Sequence, residues 1–239
     1  MDFEIILDSL PLYVHGLWMT VQLVGLALLF GICLAIPIAL LHTVRNPLVW
    51  VFPWAYIYFF RGTPLLVQMF MIYHGAGQFR APLEAWGLWP IFREAYWCAI
   101  IAFTLNTAAY TAEIIRGAIE QTPFGEIEAA RAFGMSRLTM ARRIVLPSAF
   151  RRALPAYGNE VIIMLHGSAV ASVITLVDLL GAGRIVNSDY HAPFESYVTA
   201  GAFYLGCTFA IVAVFKQWEK RWHAYLRPRV EKPPARAPV

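Results

Sequence analysis

Five apolar stretches, each long enough to cross a lipid bilayer, set what this chain can become. A helix spanning about 30 Å of hydrocarbon needs about 20 mostly apolar residues at 1.5 Å per residue. The stretches run from about Leu17 to Leu41, Val49 to Tyr73, Trp97 to Ile115, Ala153 to Val177 and Tyr197 to Phe215. Arg61-Gly62-Thr63-Pro64 interrupts the second. With no water to satisfy backbone polar groups, stretches of this length must be helices, and neighbouring helices can satisfy the groups freed at Pro37 and Pro64. Composition agrees: 59% of the 239 residues are hydrophobic and only 14% are charged, against about 25% charged in soluble domains. The expected class is an all-α integral membrane protein.

The basic residues carry the topology. Segment 1–16 holds none, residues 42–49 hold Arg45, residues 74–96 hold Arg80 and Arg93, and residues 178–196 hold Arg184. Seven lie between Arg116 and Arg152, and seven more follow from Lys216. Alternate connections therefore carry fifteen against three, with Arg61 left inside a span. The positive-inside rule puts the amino terminus outside and the carboxyl terminus in the cytoplasm. Residues 1–16 are then an outer segment, and the acidic start (Asp2, Glu4, Asp8) lacks the positive n-region of a cleaved signal peptide. The net charge of +4 is thus a topology signal, because nucleic-acid binding needs basic residues clustered on a soluble face. Residues 228–239 are proline-rich and polar and are expected to form a disordered cytoplasmic tail.

Enzymatic constellations are missing. No G-x-x-x-x-G-K-[ST] occurs, so the chain has no P-loop for ATP, and no H-E-x-x-H occurs among its six histidines. No metal site or catalytic residue is expected. His166-Gly167-Ser168 offers a base and a hydroxyl, but side chains two apart on a helix face different ways. Cys33, Cys98 and Cys207 lie in or beside apolar spans and read as small packing residues rather than a disulfide framework.

The connection between spans three and four is polar and still patterned as helix. Glu126 to Ala132 has strong helix propensity after the break at Pro123-Phe124-Gly125. Gly134 ends that helix and Ser136 caps the next, which carries Arg137, Arg142 and Arg143 towards Pro147. Periodicity leaves two uses open: a knob that docks a cytoplasmic partner, or an amphipathic loop lying on anionic lipid.

Residue spacing adds a resemblance. Glu128-Ala129-Ala130, three residues, Gly134, nine residues, Ile144, one residue and Leu146-Pro147 resembles the EAA loop of bacterial ABC import permeases. Phe60-Arg61-Gly62-Thr63-Pro64-Leu65, Leu105 to Glu113 and Asn159-Glu160-Val161-Ile162 resemble the polar amino-acid branch, and in particular M-type permeases of histidine, lysine, arginine, ornithine and opine importers. His166-Gly167 departs from the lysine and polar residue of many relatives and resembles histidine-type permeases instead. The similarity covers about Leu10 to Arg227. It implies a five-helix type I ABC importer transmembrane domain over residues 17–227 in the bacterial inner membrane, with a coupling loop over about 123–147. It also implies a second, Q-type permease or a second copy of this chain, two ABC ATPase subunits that bind ATP and Mg, and a periplasmic solute-binding protein. Glu128, Ala129, Ala130, Gly134, Ile144, Leu146 and Pro147 become ATPase-coupling residues by the same resemblance. An autonomous channel or ion-coupled transporter is the alternative; it calls for inverted repeats that five spans do not supply.

Ionisable and polar groups inside spans are costly and therefore mark candidate sites. Asn106 lies nine residues from the outer end of span three and Glu160 nine from Arg151 at the inner end of span four. Both are then about 13 Å deep, near the midplane. Asn106, Tyr110 and Glu113 share one helix face, as do Glu160, Met164 and Gly167. For a substrate with an ammonium or guanidinium group, Glu160 is the natural counter-charge and Asn106 a neutral partner; the resemblance implies the same. Glu160 could instead be neutralised by Arg61 or by the partner permease. Arg61 could meet a substrate carboxylate or hold a carboxylate of another helix, and His166 could contact substrate or pack through a hydrogen bond. Glu113 is three residues before Arg116 and reads as its ion pair. Gln68, Met69 and Met71 face the pathway or pack helices.

Overall fold

A break in the second apolar stretch organises the bundle. The structure, a computed structural model, describes residues 3–44 and 46–222, so Arg45, Arg227 and the expected tail 228–239 lie outside the described residues. Every regular element among the described residues is helical. The long elements are α1 (Phe3–His42), α2 (Pro47–Gly62) and α3 (Leu65–Tyr73), followed by a 3-10 turn at Gly75–Phe79 and two short helices, α4 (Arg80–Ala85) and α5 (Trp89–Phe92). Then come α6 (Ala95–Glu120), α7 (Phe124–Ala132), α8 (Arg137–Met140), a π turn at Ala141–Val145 and α9 (Leu146–Gly167) with a 3-10 extension at Ser168–Ile174. α10 (Leu179–Tyr190) and α11 (Pro193–Trp222) complete the chain.

Three helices are each long and apolar enough to cross a membrane: Glu4–His42, Ala95–Glu120 and Pro193–Trp222. A fourth unit, Arg137–Ile174 with Leu179–Tyr190, meets the same test as a pair bent by 49°. The second expected span is divided into α2 and α3, of 16 and 9 residues, each too short to cross alone. Its break follows from local chemistry. Thr63 precedes a proline and is extended (φ −117, ψ 145), as the clash with the Pro64 ring requires.

α1 and α6 form the most extensive helix pair, and small side chains let them approach. Ala27, Gly31, Ala35 and Ala39 recur every four residues along α1; Ala27 packs in the core with Ala99, Ala102 and Phe103 of α6, and Ala35 and Ala39 with Ala108 and Ala112. A Cβ on Gly31 would stand 2.5 Å from Thr107 Cγ2, so only glycine fits there.

Two expectations need correction. Residues 3–16 are not an element apart from the first span; they are the first turns of α1. Packing carries the helix past its apolar stretch: Tyr13 is buried and donates to Ser196 O at 2.9 Å, and Gly16 lies against the Asp178 backbone. Residues 178–196 are not a plain connection either, because they contain α10. Asp178 caps that helix by accepting from Gly181 N at 2.8 Å, and Thr20 Oγ1 of α1 accepts from Leu179 N at 3.0 Å.

Candidate functional site

The α2/α3 break leaves backbone carbonyls without helical partners, and side chains from two helices take them up. Gln68 Nε2 donates to Phe60 O (2.8 Å), Thr63 O (3.0 Å) and Thr63 Oγ1 (2.8 Å). Asn106 Nδ2 of α6 donates to Gln68 Oε1 at 3.0 Å and to Phe60 O at 3.3 Å. Tyr56 Oη fixes the same contact by donating to Leu105 O at 2.6 Å. Gln68 is therefore the residue that sequence reasoning left undecided; its spacing five residues beyond Thr63 was the available signal.

A cavity of 420 Å³ opens at this break, walled by Arg61, Gly62, Thr63, Pro64, Leu65, Asn106, Tyr110, Ile163, Met164 and Gly167. It gathers Arg61, Asn106, Tyr110 and Met164 from three separate stretches of sequence. The Arg61 guanidinium stands over the Tyr110 ring at 5.2 Å, a cation–π distance. No ion pair among the described residues joins Arg61 to Glu160 or Glu113. Both Asn106 N–H groups are committed to the break, so its carbonyl oxygen is what remains for other contacts.

Glu160 and His166 are elsewhere. Glu160 is 3% exposed and behind the cavity wall, accepting from Thr107 Oγ1 at 2.9 Å. It shares the level of Asn106, one residue from Thr107, but it does not line the cavity. His166 turns to α11, where Nε2 is 3.1 Å from Thr208 Oγ1 and the ring meets Tyr204 edge-on. One helical position decides this: Met164 and Gly167 point into the cavity and His166 points away.

The bundle end carrying α7 and α8 has the opposite character. The α7 helix closes with Gly134 at φ +71; Gly134 N donates to Arg131 O and Met135 N to Ala130 O, a paired C-terminal closure that glycine permits. Ser136 Oγ then caps α8 by accepting from Thr139 N at 3.2 Å. Glu128 and Ala129 are exposed and Ala130 is buried where α7 packs on the π turn. Ile144 lies in that turn, and Leu146 and Pro147 begin α9, into which the π turn runs without a break. Phe124 and Phe133 are 83% and 84% exposed, an apolar surface on a charged corner that the sequence reading passed over.

Arg152 ties this corner to the bundle. Its guanidinium donates to Ala118 O at 3.0 Å, Thr122 Oγ1 at 2.7 Å and Ser148 Oγ at 2.6 Å. The end of α6 and the start of α9 are thus one rigid base, helped by the Glu113–Arg116–Glu120 ion pairs on α6. The expected Glu113–Arg116 pair is present.

Residues 27–224 match the family described as "Binding-protein-dependent transport system inner membrane component". The chain is 44% identical over 230 residues to the nopaline transport system permease protein of Agrobacterium fabrum, covering 96% of this chain and 95% of the relative. It is 41% identical over 213 residues to the histidine/lysine/arginine/ornithine transport system permease protein of Escherichia coli (89% and 90% covered). Among solved structures, an amino acid ABC transporter crystallised with histidines superposes with a TM-score of 0.81 at 35% identity, covering 92% of this chain and 99% of that one. A methionine ABC transporter in inward-facing conformations shares the fold, with a TM-score of 0.73 at 20% identity.

Proposed function

Because this chain belongs to the family of inner-membrane components of binding-protein-dependent transport systems, we propose that it imports amino acids with a cationic side chain, or opines built on them. The exposed two-helix corner at one end of the bundle carries this reading. It is a rigidly based knob with uncommitted apolar and acidic side chains, the shape a partner ATPase cleft would take up. ATP and Mg belong to that ATPase. A second permease, of the Q-type or another copy of this chain, completes the pathway, and a periplasmic binding protein loads it.

The basic residues orient the chain with α7 and α8 in the cytoplasm and the amino terminus outside. The break cavity is then the substrate chamber near the midplane. Arg61 receives the substrate carboxylate; Tyr110 and Met164 wall the chamber, and the Asn106 carbonyl accepts from the amino group. Glu160 acts from behind the wall, its carboxylate favouring cations in the chamber. Glu128, Ala129, Ala130 and Gly134 meet the ATPase, while Ile144, Leu146 and Pro147 seat the corner on α9. When the ATPase dimer closes, the corner moves as a rigid lever with the α6/α9 base and rocks the chamber between its two openings.

The test reconstitutes the chain with its partners in proteoliposomes. Uptake of labelled arginine is expected to require loaded binding protein and to be displaced by histidine or ornithine. Gly134→Asp is expected to abolish substrate-stimulated ATP hydrolysis in assembled complexes. Unchanged stimulation would refute the docking role, and uptake confined to neutral amino acids would refute the substrate class.

A further inference from the structure

Four helices leave a groove between them near one end of the bundle. It has a volume of 430 Å³, and its walls include Ile32 of α1, Ile115 of α6, Phe150 and Leu154 of α9 and Trp218 of α11. That volume lies in the range of small-ligand sites. Ile115 is five residues before the end of α6 at Glu120, and Leu154 is eight residues after the start of α9 at Leu146. At 1.5 Å per residue these depths are about 8 and 12 Å, so the groove occupies one half of a hydrocarbon core about 30 Å thick. On the orientation set by the basic residues, that half is the cytoplasmic leaflet.

The walls call for an occupant that is apolar along its length and anionic at one end. They are aliphatic and aromatic except for Thr111 and Arg221. Arg221, in the last turn of α11, is exposed and makes no ion pair or hydrogen bond among the described residues. Arginines near the same ends of α6 and α9 are committed: Arg116 to Glu113 and Glu120, and Arg152 to Ala118 O, Thr122 and Ser148. Trp218 and Trp222 share a helix face with Arg221 and are half-exposed, and tryptophan is the residue type that settles at headgroup level. A cation between two indoles, at the mouth of an apolar groove in the inner leaflet, has the layout of a phospholipid. Wall atoms that face a void forfeit dispersion contacts, which an acyl chain restores.

We propose that this groove holds one anionic phospholipid of the cytoplasmic leaflet, with its phosphate on Arg221 and one acyl chain against Ile115, Phe150 and Leu154. The choice of leaflet rests on the orientation proposed above. Charge complementarity selects the lipid: in a zwitterionic headgroup the ammonium opposes Arg221, whereas an anionic one adds no cation. The chain touches α6 and α9 beside Arg152 and so fills the base on which the coupling corner stands. A membrane component thereby becomes part of the packing that carries the corner.

Native mass spectrometry of the whole importer, delipidated and then titrated with phosphatidylglycerol or with phosphatidylcholine of identical chains, tests it. Phosphatidylglycerol is expected to be retained roughly tenfold more tightly, the worth of one charge-assisted contact. Arg221→Gln is expected to erase that preference. Ile114→Trp, which puts an indole into the groove from α6, is expected to remove one bound phosphatidylglycerol per copy of this chain in complexes that still co-purify with the ATPase. A preference that survives Arg221→Gln would overturn the site. Displacement of the lipid by glycerol phosphate, which carries the charge without a chain, would reduce it to a surface anion site and overturn it too. No phosphatidylglycerol lost on either substitution would mean that a partner subunit or residues 223–239 fill the groove, and the lipid is then rejected. The measurement reads mass and needs no transport, so failure of the import reading and failure of this site are told apart.

Discussion

The α2/α3 break and the α7/α8 corner are both interruptions of a helix, and they treat the freed backbone groups in opposite ways. At the break, Gln68 and Asn106 spend their amide groups on the carbonyls of Phe60 and Thr63. At the corner, backbone bonds from Gly134 and Met135 and the Ser136 cap close the ends, and Phe124, Glu128 and Phe133 are left exposed. The difference follows from solvent. A carbonyl exposed at the corner can turn to water, while one in hydrocarbon has only protein. Polar side chains at the break are therefore structural first, and a substrate meets what they leave over. Side chains at the corner are free to face a partner.

Substitutions should separate the two regions by size of effect. Gln68→Leu strands the Thr63 carbonyl and one Asn106 N–H and leaves the Phe60 carbonyl to Asn106 alone, and at about 1–3 kcal/mol for each unsatisfied group it should cost the most. The expected result is a large drop in the folded fraction of the purified chain in mixed-detergent unfolding; a loss near zero would mean that water reaches the break. Ser136→Ala removes one cap in solvent and should cost about 1 kcal/mol. That loss should appear as faster amide hydrogen exchange confined to 137–140, with the bundle core unchanged. Exchange spreading into α9 would mean that the corner and the bundle are one cooperative unit.

Much of this division could be read in the sequence. The Gly62-Thr63-Pro64 interruption, the Gly134 stop and the Ser136 cap are local signals, and local chemistry decided them. Asn106, Tyr110, Met164 and Arg61 could be grouped because helix periodicity and depth are arithmetic. Which way His166 points could not be read, since one residue of rotation separates the cavity wall from the α11 contact, and Glu160, on the face of Met164, is kept from the cavity by a bond with Thr107 of α6 that spacing along its own helix does not show. The helix over residues 3–16 and α10 were also hidden: Tyr13, Gly16 and Thr20 hold them through contacts with residues more than a hundred positions away. Periodicity carries no record of such partners.

The central claim is that substrate handling and energy coupling reside in these two separate regions. It is tested most directly by measuring arginine uptake and binding-protein-stimulated ATP hydrolysis side by side in reconstituted complexes carrying Arg61→Ala or Phe133→Asp. Arg61→Ala, at the break, should lower uptake by roughly tenfold, the worth of one charge-assisted contact, while stimulated hydrolysis persists. Phe133→Asp, at the corner, should remove stimulated hydrolysis although the chain inserts normally, because a carboxylate replaces an apolar docking surface. If Phe133→Asp leaves stimulation intact, or Arg61→Ala abolishes hydrolysis and uptake alike, the two regions are not the separate parts described here.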